Sequence, residues 1–398
     1  MRVMLGYLAR FITSTGGAEK VCCAMANELV RRGHEVSIVY CYGKSGRPFY
    51  PLDSAVRMYN VMAIHPEKWN GIETIRLPFK NKIERELLRL FSVRRAHGLQ
   101  ENYIGRLIKD DLQEIVNQEQ PDVIVSYWPK DSSYFLNFAG IATPMVTMFH
   151  FGPDILARDA SPGSLLACVK SQKVQVLLPG DIVRLHKYIP QADAVWIPHA
   201  VPQYKKRAEL GIPKARYKIV NMARLDKTTK RQHILIEAFA KVAEQFPQWD
   251  VELWGQAWNK KYKKELENLI RKNQLENRIF LKGLTKDVQS KYLQADIFAW
   301  PSSHEGFGLA LTEAMSAGLP VVACKSCHAS SELINKECGI LVEDNIDAFS
   351  DGLSRLMRDR ELRVQMGKAG KEAMKKYAPE KIWAQWENLL MKVCSSRT

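Results

Sequence analysis

Short, nearly continuous apolar runs alternate with longer amphipathic stretches along most of this chain. Residues 3–8 form the first run. A turn rich in Thr, Ser and Gly follows, then an amphipathic stretch over 18–32 and a second run over 35–40. Gly33 stands where a helix would stop. The runs at 122–127, 144–149 and 174–178 repeat the pattern. They are apolar at successive positions rather than at alternate ones, as in strands of a parallel sheet covered on both faces. A second series occupies 218–222, 250–254, 278–281, 297–300, 320–323 and 339–341, with helical stretches between most of its members. The expected fold class is α/β, with two doubly wound, Rossmann-like domains.

At 398 residues the chain exceeds what one hydrophobic core usually serves, which agrees with two domains. Pro198, Pro202 and Pro213 break the periodicity between 197 and 213, around the basic run Tyr204-Lys205-Lys206-Arg207. The predicted domains are therefore 1–200 and 201–378. In the remaining segment, 379–398, Ile382, Trp386, Leu389 and Leu390 are spaced for one face of a closing helix. No apolar stretch reaches the roughly 18 to 20 residues that span a bilayer, and the first residues run straight into a strand, so a cytoplasmic protein is expected. Eight scattered cysteines do not form the dense framework of a disulfide scaffold and are read as thiols. The net charge of +15 favours anionic partners, whether nucleotide phosphates, nucleic acid or an acidic membrane. Charge alone does not choose among them.

The most informative stretch follows the run at 297–300 and reads Ser302-Ser303-His304-Glu305-Gly306-Phe307-Gly308-Leu309-Ala310-Leu311-Thr312-Glu313. Gly306 and Gly308 permit close approach of backbone to a ligand. A helix opening near Leu309 aims its unsatisfied N–H groups and positive end at that loop, which makes an anion site. Glu305 and Glu313 flank the site and can accept hydrogen bonds from sugar hydroxyls. A plain strand–helix joint with solvated glutamates would use the same glycines. A pair of carboxylates could also serve as acid and nucleophile in a glycoside hydrolase, but their place beside an anion site favours a sugar phosphate.

Seven residues separate Glu305 from Glu313, and the stretch resembles the E-x7-E motif of glycosyltransferase family 4, the retaining enzymes of the GT-B fold. Further segments match in order. Asn221-Met222-Ala223-Arg224-Leu225-Asp226 ends a strand and leads to Lys230, at the spacing at which that family grips the donor diphosphate with an Arg and a Lys. Thr13-Ser14-Thr15-Gly16-Gly17-Ala18-Glu19-Lys20 resembles the family's glycine-rich loop facing the interdomain cleft, and it is not the G-x-G-x-x-G of dinucleotide binding. His150 falls where family members carry an active-site histidine; a lone histidine after an apolar strand is more often structural. Some positions depart from the pattern. Cys324-Lys325-Ser326-Cys327-His328-Ala329-Ser330-Ser331-Glu332 lacks the usual glycine pair, Gly255-Gln256-Ala257-Trp258 replaces Gly-Asp-Gly-Pro, and Ile197-Pro198-His199-Ala200-Val201 replaces Ile-Pro-Asn-Gly-Val. Cys324-x-x-Cys327-His328 spells a c-type haem motif, yet haem attachment needs export, and a zinc site would need two more ligands.

The resemblance implies two Rossmann-like domains facing a deep cleft: an acceptor-side domain at 1–200, a donor-binding domain at 201–378, and a C-terminal helix crossing back to the first. It implies a nucleotide-diphosphate sugar as donor, a UDP-sugar being favoured and GDP-mannose the other choice. Glu313 would lie on the ribose, and Arg224 and Lys230 on the diphosphate. Glu305 with the backbone of Gly306, Phe307, Gly308 and Leu309 would orient the sugar, and His150, Gly16 and Gly17 would contribute from the first domain. Retention of configuration follows from attack on the face that the diphosphate leaves. No D-x-D triplet is present, so neither metal nor cofactor is expected. The implied acceptor is a saccharide or lipid-linked saccharide of a surface polysaccharide, lipopolysaccharide or glycan pathway. A GT-B epimerase or phosphorylase is the alternative. Nucleic-acid binding through Lys205 to Arg207 and Lys260-Lys261-Tyr262-Lys263-Lys264 is more remote, and no nucleic-acid partner is expected. Between Phe79 and Phe91, Ile83, Leu87, Leu90 and Phe91 share a helical face beside Lys82, Arg85 and Arg89, with Arg94 and Arg95 beyond. Such a helix suits an anionic membrane, or equally a place on its own domain with a solvated basic face.

Overall fold

The computed structural model describes residues 1–395. In its first half, seven strands run β1 (Arg2–Tyr7), β2 (Glu35–Tyr40), β3 (Arg57–Asn60), β4 (Val123–Ser126), β5 (Met145–Met148), β6 (Lys173–Val176) and β7 (Ala194–Trp196). They form one parallel sheet in the order β3-β2-β1-β4-β5-β6-β7. The second half forms a six-stranded parallel sheet, β10-β9-β8-β11-β12-β13, from β8 (Tyr217–Met222), β9 (Trp249–Trp254), β10 (Ile279–Gly283), β11 (Ile297–Trp300), β12 (Val321–Cys324) and β13 (Gly339–Val342). The central strands β4, β5, β11 and β12 are buried at every position. That explains their nearly continuous apolar pattern, broken only by the buried hydroxyls of Ser126 and Thr147. Each fully buried Val, Ile or Phe contributes roughly 1.5–3 kcal/mol, before chain entropy is counted.

Two strands are absent from the sequence pattern. Both lie at edges of the first sheet: β3, Arg-Met-Tyr-Asn, is only half-buried, and β7 has three residues. An edge strand needs no continuous apolar run, because one side of its ladder is unpaired. Gly33 does end the helix Gly17–Arg31, at φ +84, where its N–H is donated to the Val30 carbonyl at 2.9 Å.

The chain divides into two compact units, Met1–His199 with the segment from Ile382 onward, and Ala200–Lys381. The last helix, Pro379–Ser395, buries Ile382, Trp386, Leu389 and Leu390. Its Glu387 accepts from Arg32 at 2.6 Å and pairs with His34 at 3.0 Å, which ties it to the end of the first helix. The helix Phe79–Phe91 buries nothing. Its polar side, through Arg85 donating to Gln100 at 3.0 Å, lies on the following helix Val93–Glu119, while its apolar side is exposed.

Candidate functional site

The second sheet reverses its strand order between β8 and β11, and open α/β sheets bind ligands beyond the carboxyl ends of strands at such a reversal. Buried Asn221 ties these two strands by donating its side-chain amide to the Ala299 carbonyl at 2.8 Å. Past β8, the buried Gln232 donates to the Arg224 carbonyl at 2.9 Å and accepts from the Asp226 N–H at 3.2 Å. Its side chain therefore ties the start of the loop that carries Arg224 and Lys230 to the head of the helix Gln232–Ala240. Within that loop the Asp226 carboxylate accepts the N–H and O–H of both Thr228 and Thr229, at 2.7–3.0 Å. Burial alone would raise the Asp226 carboxyl, but the bonds from Thr229 and Thr228 bring it down to about 2.

Glu305 arrives on the other loop. Ser303 donates its N–H to the Thr229 carbonyl at 2.9 Å and its hydroxyl to the Thr228 carbonyl at 3.1 Å, while Arg231 donates to the Pro301 carbonyl at 2.8 Å. With the loops stitched together, Lys230 Nζ contacts Glu305 Oε1, and the two side chains are only 17% and 11% exposed. Lys230 also stands 5.7 Å from the centre of the Trp300 ring. Arg224 is more open, at 40%. Its Nε lies 3.6 Å from Asp226, and its guanidinium sits 4.5 Å over the ring of Trp258, which is 67% exposed. Gly255 makes that placement possible: at φ +150, a Cβ there would stand 2.0 Å from the Ala223 carbonyl oxygen. The Ala223 N–H donates to the Trp254 carbonyl and the Leu225 N–H to the Gln256 carbonyl, each at 2.9 Å, so β8 and β9 continue past the sheet and deliver Trp258 to Arg224.

Gly308, at φ +76, precedes the helix Leu309–Ser316, whose positive end faces back along the Glu305–Gly308 loop. Gly306 and Phe307 are buried, and the Phe307 ring packs edge-on against Tyr377 at 5.3 Å, leaving its backbone as the part a ligand could use. The two glutamates have different neighbours. Glu305 stands with Lys230 and raises the Cys327 thiol, which burial has already pushed up. Glu313 is buried, and its charge adds to the effect of burial in raising the phenols of Tyr204 and Tyr292. His328 pairs with Glu332 at 2.6 Å, and among the described residues no group of three or more His, Cys, Asp or Glu is arranged to hold a metal.

The first sheet reverses between β1 and β4, and its candidates follow the neighbouring strands. Gly16 caps the helix Gly17–Arg31 in an extended conformation, with the end of the Glu19 side chain 2.5 Å from where a Cβ would stand. His150, beyond β5, stacks on Tyr127 at 5.1 Å and on His199 at 5.3 Å, with Trp128 tilted against it at 5.1 Å. Its Nε2 is shut off from solvent and has no hydrogen-bond partner among the described residues. Burial, and then the neighbouring His199, push the His150 imidazole well below its usual range; burial brings His199 to about 3. Both rings are neutral at pH 7. Sequence reasoning passed over Trp258, Asp226, Gln232 and His199 as site components. Two of them, Trp258 and His199, lay in the segments that depart from the family pattern, and that departure was the available signal.

Residues 16–222 match the glycosyl transferase 4-like domain and residues 202–373 match the glycosyl transferases group 1. A protein of Haemophilus influenzae called an uncharacterized glycosyltransferase is 24% identical over 97% of this chain and 99% of its own length. Among solved structures, sucrose-phosphate synthase from Thermosynechococcus elongatus superposes with a TM-score of 0.76 at 16% identity, covering 99% of both chains. TarM from S. aureus, solved with fondaparinux, alpha-GlcNAc-glycerol and UDP, gives 0.71 at 16% identity over 98% of this chain and 100% of its own.

Proposed function

We propose that this chain, which belongs to the group 1 glycosyl transferases of family 4 and has their GT-B fold, is a retaining, metal-independent hexosyltransferase. Its donor is a nucleotide-diphosphate sugar, a UDP-sugar in the first place and GDP-mannose as the second choice. Its acceptor is a saccharide or lipid-linked saccharide of a surface polysaccharide, lipopolysaccharide or glycan pathway. The observation that carries this reading is the sheltered Lys230–Glu305 pair beside the open Arg224, held where the second sheet reverses. TarM's complex with UDP and a glycosylated glycerol supports the choice of base and of a hydroxyl-bearing acceptor.

In this reading the diphosphate lies against Arg224 and Lys230, before the positive end of the helix Leu309–Ser316. Glu305 accepts a hydrogen bond from a hydroxyl of the transferred sugar, the loop backbone from Gly306 to Leu309 orients it, and Glu313 serves the ribose. As the bond from the anomeric carbon to the diphosphate oxygen breaks, its electron pair stays on the diphosphate, and the two cations stabilise the growing charge. The acceptor oxygen bonds to the anomeric carbon on the same face and its proton passes to the departing diphosphate. No side chain acts as nucleophile. The chain's own cations meet the charge that a divalent ion meets elsewhere.

Thermal stabilisation by UDP-, GDP-, ADP- and CMP-sugars tests the donor site, in wild type and in Arg224→Ala. A true donor at about 100 times its dissociation constant adds roughly 2.7 kcal/mol of stability, and the variant responds far less. Product analysis with EDTA and with or without acceptor tests the reaction. Conversion of donor without acceptor would make the protein an epimerase, and loss of activity in EDTA would remove metal independence.

A further inference from the structure

The helix Phe79–Phe91 packs the wrong way round for a globular protein. Phe79, Ile83, Leu87 and Leu90 recur at the spacing of one helical face, and that face is turned to solvent, as is Phe91; Phe79 is 80% and Phe91 86% exposed. Surface helices normally bury this stripe. A contiguous exposed apolar patch of this kind marks a place where something else binds.

The surrounding charge identifies the occupant. Between Arg76 and Arg95 the sequence has seven cationic and two acidic residues. Of the two acids, Glu86 is already engaged by Arg85 at 2.6 Å and Arg89 at 3.1 Å. Beside the Arg85–Gln100 contact, a cavity of about 760 Å³ opens between this helix and the helix Val93–Glu119 and is lined by Leu88, Arg95, Asn102 and Arg106 among others. Arg95, Asn102 and Arg106 recur at seven and eleven residues, so they share one face. Two acids share the lining: Glu84, exposed on the helix itself, and Glu101, which is buried and held by the hydroxyls of Ser133 at 2.5 Å and Ser164 at 2.7 Å, so Arg95 and Arg106 are the outward cations of this wall. A cationic rim beside an exposed apolar stripe complements lipid phosphate above acyl chains. A second copy of the same face would set cations against cations.

We propose that this helix is an interfacial anchor for an anionic phospholipid bilayer, with its apolar stripe among the outer acyl chains and Arg95 and Arg106 at lipid phosphates. The anchor is independent of Arg224, Lys230 and Glu305, so donor binding and membrane binding can fail separately. The test is sedimentation of the full chain with vesicles of phosphatidylcholine alone or with about a third phosphatidylglycerol, at low and high salt. Binding to the anionic vesicles at least about tenfold above the neutral ones is expected, weakening with salt. The paired change Leu90→Glu with Phe91→Glu abolishes it, and Arg95→Ala with Arg106→Ala lowers it severalfold, with thermal stability unchanged because these sites are exposed. Wild type that stays in the supernatant overturns the proposal. So does binding that the Leu90→Glu, Phe91→Glu pair leaves intact, or a dimer in solution that the same pair dissolves, which would make a second copy the occupant.

Discussion

Replacing Lys230 by methionine removes one charge while keeping most of the aliphatic stem, so it isolates the ion pair from packing. Glu305 retains only 11% of its side-chain surface and cannot simply turn to water when its partner is lost. Two unit charges about 3 Å apart at an effective dielectric near 20 attract by about 5 kcal/mol. Breaking a buried pair by removing one partner costs about 3–5 kcal/mol, and the residual exposure here places the loss near the lower end, at about 3 kcal/mol. For a unit of this size that lowers Tm by about 6–12 °C. Glu305→Gln should cost a similar amount, and the double variant much less than the sum, because no charge is then stranded. Calorimetry of the wild type, both single variants and the double variant measures all four corners. If Lys230→Met stays within about 0.5 kcal/mol of wild type, or if the two effects simply add, the sheltered pair is not coupled and the reasoning fails.

Trp258→Ala removes the ring beneath Arg224, a contact of about 1 kcal/mol, and should weaken donor binding about fivefold in titration calorimetry, whereas Trp258→Phe keeps most of the affinity. His199 titrates at about 3 in the folded chain against 6.5 free, so its contribution to stability is complete above pH 6.5 and is lost as the pH falls toward 3. His199→Asn should therefore flatten, by about 1.4 kcal/mol per pH unit, the acid limb of urea denaturation curves. Asp131 moves the opposite way. Burial raises its carboxyl to about 7, so the stability it gives is complete below pH 3.8 and is lost as the pH rises through 7. Asp131→Asn should remove that decline and leave the variant the more stable form at pH 8, by up to about 4 kcal/mol in the same measurement.

The central strands were legible because burial on both faces leaves only one kind of pattern, an apolar run, and β2 and β11 begin and end where that pattern does. The loop from Glu305 to the helix at Leu309 was legible for a related reason: glycine at φ +76 and a helix start are local properties written in adjacent residues. The edge strands β3 and β7 were not, since half-exposed backbone tolerates almost any side chain. What Arg224 and Lys230 do with their charge lay beyond local pattern altogether. Lys230 meets a carboxylate 75 positions away, and Arg224 rests on a ring brought over by a glycine just past another strand. The stack of His150 on His199 likewise joins residues 49 apart through the paired ends of β5, β6 and β7. Tertiary structure alone also decided the helix Phe79–Phe91. Its amphipathic spacing is the same whichever side faces the protein, and only its packing on the helix Val93–Glu119, with Arg85 donating to Gln100, shows that the apolar side is the outward one. Periodicity is set by neighbours in the chain, whereas the direction a face points and the partner a charge finds are set by which distant elements pack together.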